Sequence, residues 1–459
     1  MIKDNLLQKI DSDTAAELFS ELYGRPEIDA ARQRYKSLIT EILKDLADSP
    51  DGFPNAGRCE AEGKLWLFSA PGRTELAGNH TDHNRGKVLA ASVHLDSAAV
   101  VRERGDNTVF FRSAGFPDVI VRLADSAGAF DLRPKPEEVG TTEALIRGTA
   151  AELNLRGCTA GGFSANAAST VFPGSGLSSS AALEVLLGRV FDSLYGGGKR
   201  GFLEIAQIGQ TAENAYFGKP CGLMDQIACA AGGAVAIDFS GMASPEVKQI
   251  HFNPAAAGYA LCVVNTGGSH ADLTADYASI PAEMKSVANF FGKSVLGELE
   301  KETVMDSAVE VRKTFGDRAL LRSLHFFDEN KRVDAMAAAL TQMENAVTSA
   351  AVQHTFSIFL DMVNESGDSS WEFLQNVYSP NCPEIQGIGV ALALTKDFFR
   401  KRELHSACRV HGGGFAGTIQ AYIPLDALSA YRTQIEAVFG ADSVTVLRIR
   451  PRGAIELIL

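Results

Sequence analysis

Apolar residues keep a helical period through the first 46 positions of this chain and lose it from Leu65 onward. Over 14–22 and 28–46 they fall three and four positions apart among charges, the spacing that gives a helix one buried face. After a turn-rich stretch at 48–63 come short β-type runs at 65–69, 88–92, 98–102, 108–112 and 119–123, separated by Gly, Asp and Asn. A helix over 142–153 leads to a strand at 163–168, a Gly-Ser loop, and amphipathic helices over 181–195 and 202–216; strands follow at 234–238 and 259–265. The C-terminal half alternates helices over 282–291, 333–344, 356–364 and 388–400 with strands at 418–423, 444–449 and 454–458. This mixture lacks a regular βαβ alternation and predicts α+β lobes. No internal repeat is visible, and Gly196-Gly197-Gly198 is the one low-complexity tract.

A chain of 459 residues has room for two or three domains of ~150 residues each. With 46% hydrophobic and 22% charged residues, it has the balance of a folded, water-soluble protein. The formal net charge of −13 repels polyanions at a distance, which argues against nucleic acid or an anionic membrane as partner. A small anion such as ATP, held with Mg²⁺ by a local nest of N–H groups, remains compatible with it. The first residues break every apolar run with charge and supply no secretory signal. The longest apolar stretch, 227–237, falls short of the ~20 residues a spanning helix needs, so a cytoplasmic location is expected. Seven cysteines (Cys59, Cys158, Cys221, Cys229, Cys262, Cys382 and Cys408) form no Cys-x-x-Cys pair and indicate neither zinc nor disulfides.

Pro173-Gly174-Ser175-Gly176-Leu177-Ser178-Ser179-Ser180-Ala181-Ala182 stands between a strand and a helix. Small residues let the backbone approach a ligand, the helix start beyond offers orphan N–H groups, and the hydroxyls can reach phosphate or metal. An anion site is one reading; a helix start with a Ser N-cap is the other. It is not a Walker A loop, because no Gly-Lys-Ser/Thr follows at the required spacing. Gly196-Gly197-Gly198-Lys199-Arg200-Gly201 lacks the hydroxyl residue and reads as a turn.

The loop resembles the second signature of the GHMP small-molecule kinases, where it wraps the ATP phosphates. That resemblance implies that Gly174, Ser175, Gly176, Leu177, Ser178 and Ser179 line the triphosphate and that Ser180 helps hold Mg²⁺. Ala70-Pro71-Gly72-Arg73-Thr74-Glu75-Leu76-Ala77-Gly78-Asn79-His80-Thr81-Asp82-His83-Asn84 resembles the galactokinase signature, usually Ala-Pro-Gly-Arg-Val-Asn-Leu-Ile-Gly-Glu-His-Thr-Asp-Tyr-Asn. A crowd of polar groups after a strand suits a desolvated sugar, each hydroxyl of which needs a donor or acceptor. The resemblance assigns Asn79, His80 and Asp82 to the sugar. Gly412-Gly413-Gly414-Phe415-Ala416-Gly417 resembles the third signature, Gly-Gly-Gly-Phe-Gly-Gly, and could bring backbone to the phosphate end or close the cleft. With three signatures in order across 65–425, the chain is identified as a member of the galactokinase group. The implied fold is the two-lobed GHMP kinase fold. Its N-terminal ribosomal-protein-S5-like lobe would span 63–240 and its C-terminal ferredoxin-like lobe 241–459, with the active site between them and a helical extension at 1–62.

Asp225, in Cys221-Gly222-Leu223-Met224-Asp225-Gln226, lies in a mainly apolar run where an uncompensated carboxylate is costly, which favours a functional role. The segment resembles the galactokinase stretch that ends Cys-Gly-Ile-Met-Asp-Gln. By that resemblance Asp225 accepts the proton of the anomeric hydroxyl, Gly222 borders the sugar, and Arg73 is the cationic partner near the γ-phosphoryl group. Glu213, twelve residues before Asp225, would share Mg²⁺ with Ser180. Tyr277, beyond Asn265-Thr266-Gly267-Gly268-Ser269-His270-Ala271-Asp272-Leu273, stands where galactokinases carry a sugar-contacting Tyr. Phosphoryl transfer needs chiefly positioning and charge neutralisation, for which an Arg, a Mg²⁺ and a carboxylate suffice. The implied activity is ATP-dependent phosphorylation of the anomeric hydroxyl of galactose, giving galactose 1-phosphate.

Some positions depart from the pattern. Asn79 replaces the signature's Glu, which addresses the far hydroxyl of galactose at C6, and His83 replaces its Tyr. The amide removes a negative charge there and His83 can add a positive one. Plant galacturonate kinases show both changes, so galacturonate or another modified galactose is the alternative substrate. A neutral amide nonetheless hydrogen-bonds a hydroxyl well. The chain between Tyr23-Gly24-Arg25-Pro26, which resembles the family's opening, and Ala70 is longer than usual, and His411 replaces a Thr. A sensor that binds sugar and ATP without turnover is the reading of a different class, against which the complete set Arg73, Asp225, Ser180 and Glu213 speaks. The expected partners are a small sugar and ATP, with the protein a monomer or weak homo-oligomer.

Overall fold

The computed structural model describes residues 2–48, 64–125, 127–171, 174–241, 244–268 and 273–459. Cys59, Pro173 and the 269–272 part of the segment before Tyr277 lie outside them. Helices α1 (Ile2–Ile10), α2 (Asp13–Tyr23) and α3 (Ile28–Asp48) precede β1 (Leu65–Ala77), β2 (Lys87–Glu103), β3 (Thr108–Ser113) and β4 (Val119–Arg122). Then come α4 (Thr142–Leu155), β5 (Phe163–Ser169), α5 (Ser179–Phe191), α6 (Phe202–Thr211), α7 (Met224–Ala231), β6 (Ala234–Asp238), β7 (Glu246–Ile250) and β8 (Tyr259–Asn265). A helical block of α8 (Thr274–Phe290), α9 (Lys301–Asp306), α10 (Ala308–Phe315), α11 (Asp317–Glu344), α12 (Ser349–Ser369) and α13 (Gly387–Lys401) leads to β9 (Ala407–His411) and β10 (Thr418–Pro424). The chain closes with α14 (Leu428–Phe439), β11 (Val444–Leu447) and β12 (Ile455–Glu456).

Eight strands form one sheet, ordered β12-β1-β2-β5-β3-β4, with β6 on β2 and β7 on β6; four form a second sheet, ordered β11-β8-β10-β9. The sheets and helices together are the expected α+β, two-lobed arrangement. The boundary expected at 240/241 falls inside the β6–β7 hairpin, and β12 returns the chain to the first sheet.

The runs at 88–92 and 98–102 are two ends of one strand. Pro71 pairs with Asp96 and Arg73 with Ser92, so one residue of β1 faces three of β2 and β2 bends there. Its first half pairs with β6 and its second with β5. Both faces of this sheet are covered, which is why its strands read as continuous apolar runs. Leu65, Leu67, Ala98 and Val100 point to the N-terminal helices, against Phe19, Tyr35 and Ile39. Their neighbours Phe68, Ala99 and Val101 point to the opposite core with Leu145, Val185, Phe191 and Ile227. The second sheet packs Cys262, Val264, Ile419 and Ala421 against Phe398 of α13 and Tyr431 of α14.

Under the bend of β2 lies a buried ionic centre. Asp96 pairs with Arg34 at 2.7 Å and Arg450 at 3.3 Å and accepts from Tyr23 Oη at 2.8 Å. Burial alone would raise its pKa, but the two guanidinium groups and the hydroxyl bonds hold it below the carboxylate range.

Helix lengths differ from the sequence pattern at several points. The apolar run 227–237 is divided between the end of α7 and β6. α8 begins at Thr274 and carries Pro281 inside it, whereas the pattern starts that helix after the proline. α11 runs 28 residues, because its charged first half packs through Ala319, Phe326 and Phe327 into a core that the pattern at 333–344 does not reach. β7, α9, α10, β9 and α14 are short or weakly patterned and were not expected from the sequence.

Candidate active site

Arg73 leaves β1 just past the bulge at Gly72. A Cβ at Gly72 would meet Leu177 O at 2.7 Å, so only glycine lets this strand touch the Gly-Ser loop. Arg73 N–H donates to that same carbonyl at 2.9 Å. The Arg73 guanidinium grips Asp225 bidentately, Nε to Oδ1 at 2.7 Å and Nη2 to Oδ2 at 2.8 Å, and donates through Nη1 to Gly176 O. Ser178 Oγ donates to Asp225 Oδ2 at 2.6 Å. Asp225 lies in the first turn of α7, where the helix dipole favours a negative charge. Burial pushes its pKa up, but Arg73 above all, then Ser178 and Lys219, hold it below the usual range.

The Gly-Ser loop takes left-handed backbone at Gly174, Gly176 and Ser178. Ser178 is the N-cap residue of α5, yet its hydroxyl makes no capping bond and serves Asp225 instead. Leu177 is buried, Ser175, Gly176, Ser179 and Ser180 are half-buried, and Gly174 is exposed. The loop is wedged against the second sheet, since a Cβ at Gly176 would lie 2.9 Å from His411 Nδ1. The His411 ring is buried, with Nε2 2.9 Å from Thr74 Oγ1 and Nδ1 3.0 Å from Thr418 Oγ1. The N–H of Glu75 points to Nε2 at 3.4 Å, which makes that nitrogen the acceptor and puts the ring proton on Nδ1. Burial, then the charges of Arg73 and Arg409, push this imidazole's pKa well down.

Glu213 lies in a π turn, Ala212–Phe217, that continues α6. Its Oε2 and Oε2 of Glu184 share the amide of Gln226, at 3.0 and 2.8 Å, and its Oε1 meets Lys219 Nζ at 3.2 Å. Burial and the neighbouring Glu213 raise the Glu184 pKa well above normal. Glu184 Oε1 has no partner among the described residues. The buried Glu213 carboxylate and the orphaned oxygen of Glu184, two side chains held at Gln226, are oxygen donors of the kind Mg²⁺ takes, and Ser180 lies in the first turn of α5.

At the other end, Gly222 crowds Asp82: a Cβ there would sit 1.9 Å from Asp82 Oδ2. Asp82 Oδ1 accepts from His83 N at 2.9 Å. His80 adopts φ 62° and donates from Nε2 to Gly413 O at 2.9 Å. Burial lowers its pKa to about 4. Tyr277 Oη donates to Gly414 O at 3.0 Å, its ring 6.5 Å from that of His80. The glycine-rich segment 412–417 thus spans the cleft, with its carbonyls at the His80 and Tyr277 end and Gly412 near Gly176.

Asn79 is the exception among the expected sugar residues, being fully buried. It donates to Glu75 Oε1 at 3.0 Å and to Gly412 O at 2.6 Å, and its carbonyl oxygen accepts from Asn376 at 2.6 Å. His325 of α11 meets its backbone oxygen at 2.9 Å, and Glu329 accepts from Gly78 N at 3.0 Å. Arg409 pairs with Glu75 at 2.7 Å. Glu75 stands where the signature has Asn, and Asn79 where it has Glu, so carboxylate and amide have changed places within one buried pair. Glu75, Asn376, His325, Glu329 and Arg409 were not singled out from the sequence; only Glu75, inside the signature, carried a signal.

Known proteins resemble this chain along most of its length. Residues 144–233 match the model of the GHMP kinases N terminal domain, and 58–103 match the galactokinase galactose-binding signature. A galactokinase of Streptomyces coelicolor is 31% identical over 390 residues, 83% of this chain and 91% of that protein. One of Streptomyces lividans is 30% identical over 410 residues, 87% of this chain and 92% of that protein. Among solved structures, Lactococcus lactis galactokinase complexed with galactose superposes with TM-score 0.71 at 24% identity, covering 91% of this chain and all of that one. The mevalonate kinase of Methanococcus jannaschii reaches 0.54 at 11% identity, covering 85% of this chain and 99% of that one.

Proposed function

The chain belongs to the galactokinase family of GHMP kinases, and on that premise we propose that it transfers the γ-phosphoryl group of ATP to the anomeric (C1) hydroxyl of galactose, giving galactose 1-phosphate and ADP. The observation that carries this reading is the bidentate Arg73–Asp225 pair, set between the Gly-Ser loop and the Asp82–Gly222 contact. In this reading the loop from Gly174 to Ser180 cradles the triphosphate, while His80, Asp82, Gly222 and Tyr277 border the sugar. Asn79 acts from behind them by holding their segment to Gly412 and Asn376.

Asp225 orients the C1 hydroxyl and takes its proton as the O1–P bond forms and the bond from the γ-phosphorus to the bridging oxygen of ADP breaks. A carboxylate held below its usual pKa is a weak base. That suits a loose transition state in which the hydroxyl proton leaves late, so positioning is the larger part of its work. Arg73 neutralises charge on the transferred group and keeps Asp225 ionised. Glu213 and Ser180 would hold Mg²⁺, which would supply positive charge to offset that of the triphosphate. Among the described residues no helix is long and apolar enough to cross a membrane.

The test is ATP consumption with galactose, N-acetylgalactosamine, galacturonate and glucose, with Asp225→Asn as control. Turnover of galactose that Asp225→Asn abolishes is expected. Galactose left inert while galacturonate turns over would replace the substrate, and binding of sugar without any turnover would make the protein a sensor.

A further inference from the structure

Lys219 has no role in the reading above, yet it sits on a residue assigned to the metal. The N–H groups of Gly218 and Lys219 both close on Glu213 O, at 3.0 and 3.2 Å, so the loop brings the lysine back over the glutamate six positions before it. The ammonium lies 3.2 Å from Glu213 Oε1, on a side chain 62% exposed against a carboxylate 3% exposed. Gln226 takes the other oxygen at 3.0 Å. Among the described residues, the cation paired with this buried carboxylate is therefore a flexible side chain that reaches in from solvent. Burial works against the ammonium, but Glu213 and then Asp225 keep its pKa raised. Its charge also helps to hold Asp225 down, so it lies within the field of both carboxylates.

We propose that Lys219 occupies the cation place of Glu213 in the empty enzyme and, once it gives way to Mg²⁺ arriving with ATP, turns its ammonium onto the transferred phosphoryl group. The inference rests on the kinase reading above. A divalent ion attracts Glu213 Oε1 more strongly than an ammonium does and, once close to that carboxylate, repels the ammonium held against it. The four-carbon stem of lysine has the freedom to move, and phosphate oxygens are the acceptors a displaced ammonium meets in this cleft. The site thus keeps its buried carboxylate compensated when empty and gains a second cation beside Arg73 when loaded.

Lys219→Met keeps the stem without the charge, and Lys219→Arg keeps the charge. Mn²⁺ titrated into the nucleotide-free protein, followed by its electron paramagnetic resonance signal, is expected to bind Lys219→Met about two- to fivefold more tightly than native, the factor an exposed ion pair is worth. With saturating ATP and Mg²⁺, kcat for galactose is expected to fall about tenfold or more in Lys219→Met and to recover largely in Lys219→Arg. Unchanged Mn²⁺ affinity, or a native kcat in Lys219→Met, overturns the proposal. Absence of galactose phosphorylation by the native protein would sink the kinase reading instead, while the Mn²⁺ titration still decides whether the ammonium guards Glu213.

Discussion

The side-chain amide of Asn79 donates across 3.0 Å to Glu75, four residues back in the same segment, and the pair inverts the Asn and Glu of the galactokinase signature. Arg409, itself fully buried, depends on that carboxylate. Glu75→Asn strips the guanidinium of its partner, and Asn79→Glu sets a second carboxylate against the first. Each single change is expected to lower unfolding stability by about 3 kcal/mol. The double exchange, which restores the signature's order, is expected to cost at least about 1 kcal/mol less than the sum. Denaturant unfolding of the four proteins measures the cycle, and strict additivity would mean that the two sites do not communicate.

Stability is expected to depend on pH through Glu75. Burial raises its pKa from 4.5 to about 7 against the pull of Arg409. Between those values the folded protein binds a proton that the unfolded chain has released, so the Glu75 contribution falls as pH rises through the window. The melting-temperature difference between native protein and Glu75→Gln should change between about pH 4.5 and 7 and be flat outside it. A difference that is flat throughout would place Glu75 at its ordinary pKa.

Asp225→Asn removes the carboxylate that Arg73 grips, that orients the C1 hydroxyl and that takes its proton, so kcat for galactose is expected to drop about 10³-fold with little change in KM. Arg73→Lys retains a charge but cannot form the two-pronged grip on Asp225, and a loss of about 10²-fold is expected. Steady-state kinetics on both variants decides; a KM effect alone would move the pair from the chemistry to binding.

Gly222→Ala tests the sugar end. The added Cβ would fall 1.9 Å from Asp82 Oδ2 and must push that side chain aside. KM for galactose is expected to rise about tenfold or more while affinity for ATP, at the other end of the cleft, stays native. Equal weakening of both ligands would show a wider distortion.

The residues that touch in the cleft are mostly those written in contiguous strings: Arg73, His80, Asp82, the 174–180 loop, Gly222 and Asp225 were all visible because a short loop must carry its chemistry in adjacent positions. What supports them was not. His325 and Glu329 come from α11 and Asn376 from the segment that follows Leu374, all more than 240 residues beyond the sugar segment, and a lone polar residue on a helix or in a loop looks the same whether it braces a site or faces water. The bend in β2 was hidden for a related reason: polar residues at a bulge resemble those of a turn, so one strand read as two. Asn79 had the right neighbours for a sugar ligand, but its burial depends on Asn376 and Gly412, which no local pattern announces.

The two ends of this chain are stitched together. Arg448 donates to Tyr23 O at 2.9 Å, Arg452 to Glu21 at 2.8 Å and Lys9 to Leu459 O at 2.9 Å, while Arg450 reaches the Asp96 centre and β12 pairs with β1. During synthesis, the strand that bears Arg73 therefore leaves the ribosome long before its edge partner and before one of the two cations that balance Asp96. Contacts of such sequence separation form slowly, so the nascent protein must hold an unfinished sheet edge and an under-compensated carboxylate until residue 456 emerges. The residues from Arg448 onward, far from the chemistry in sequence, thus complete the sheet edge and the ionic centre behind the strand that bears Arg73.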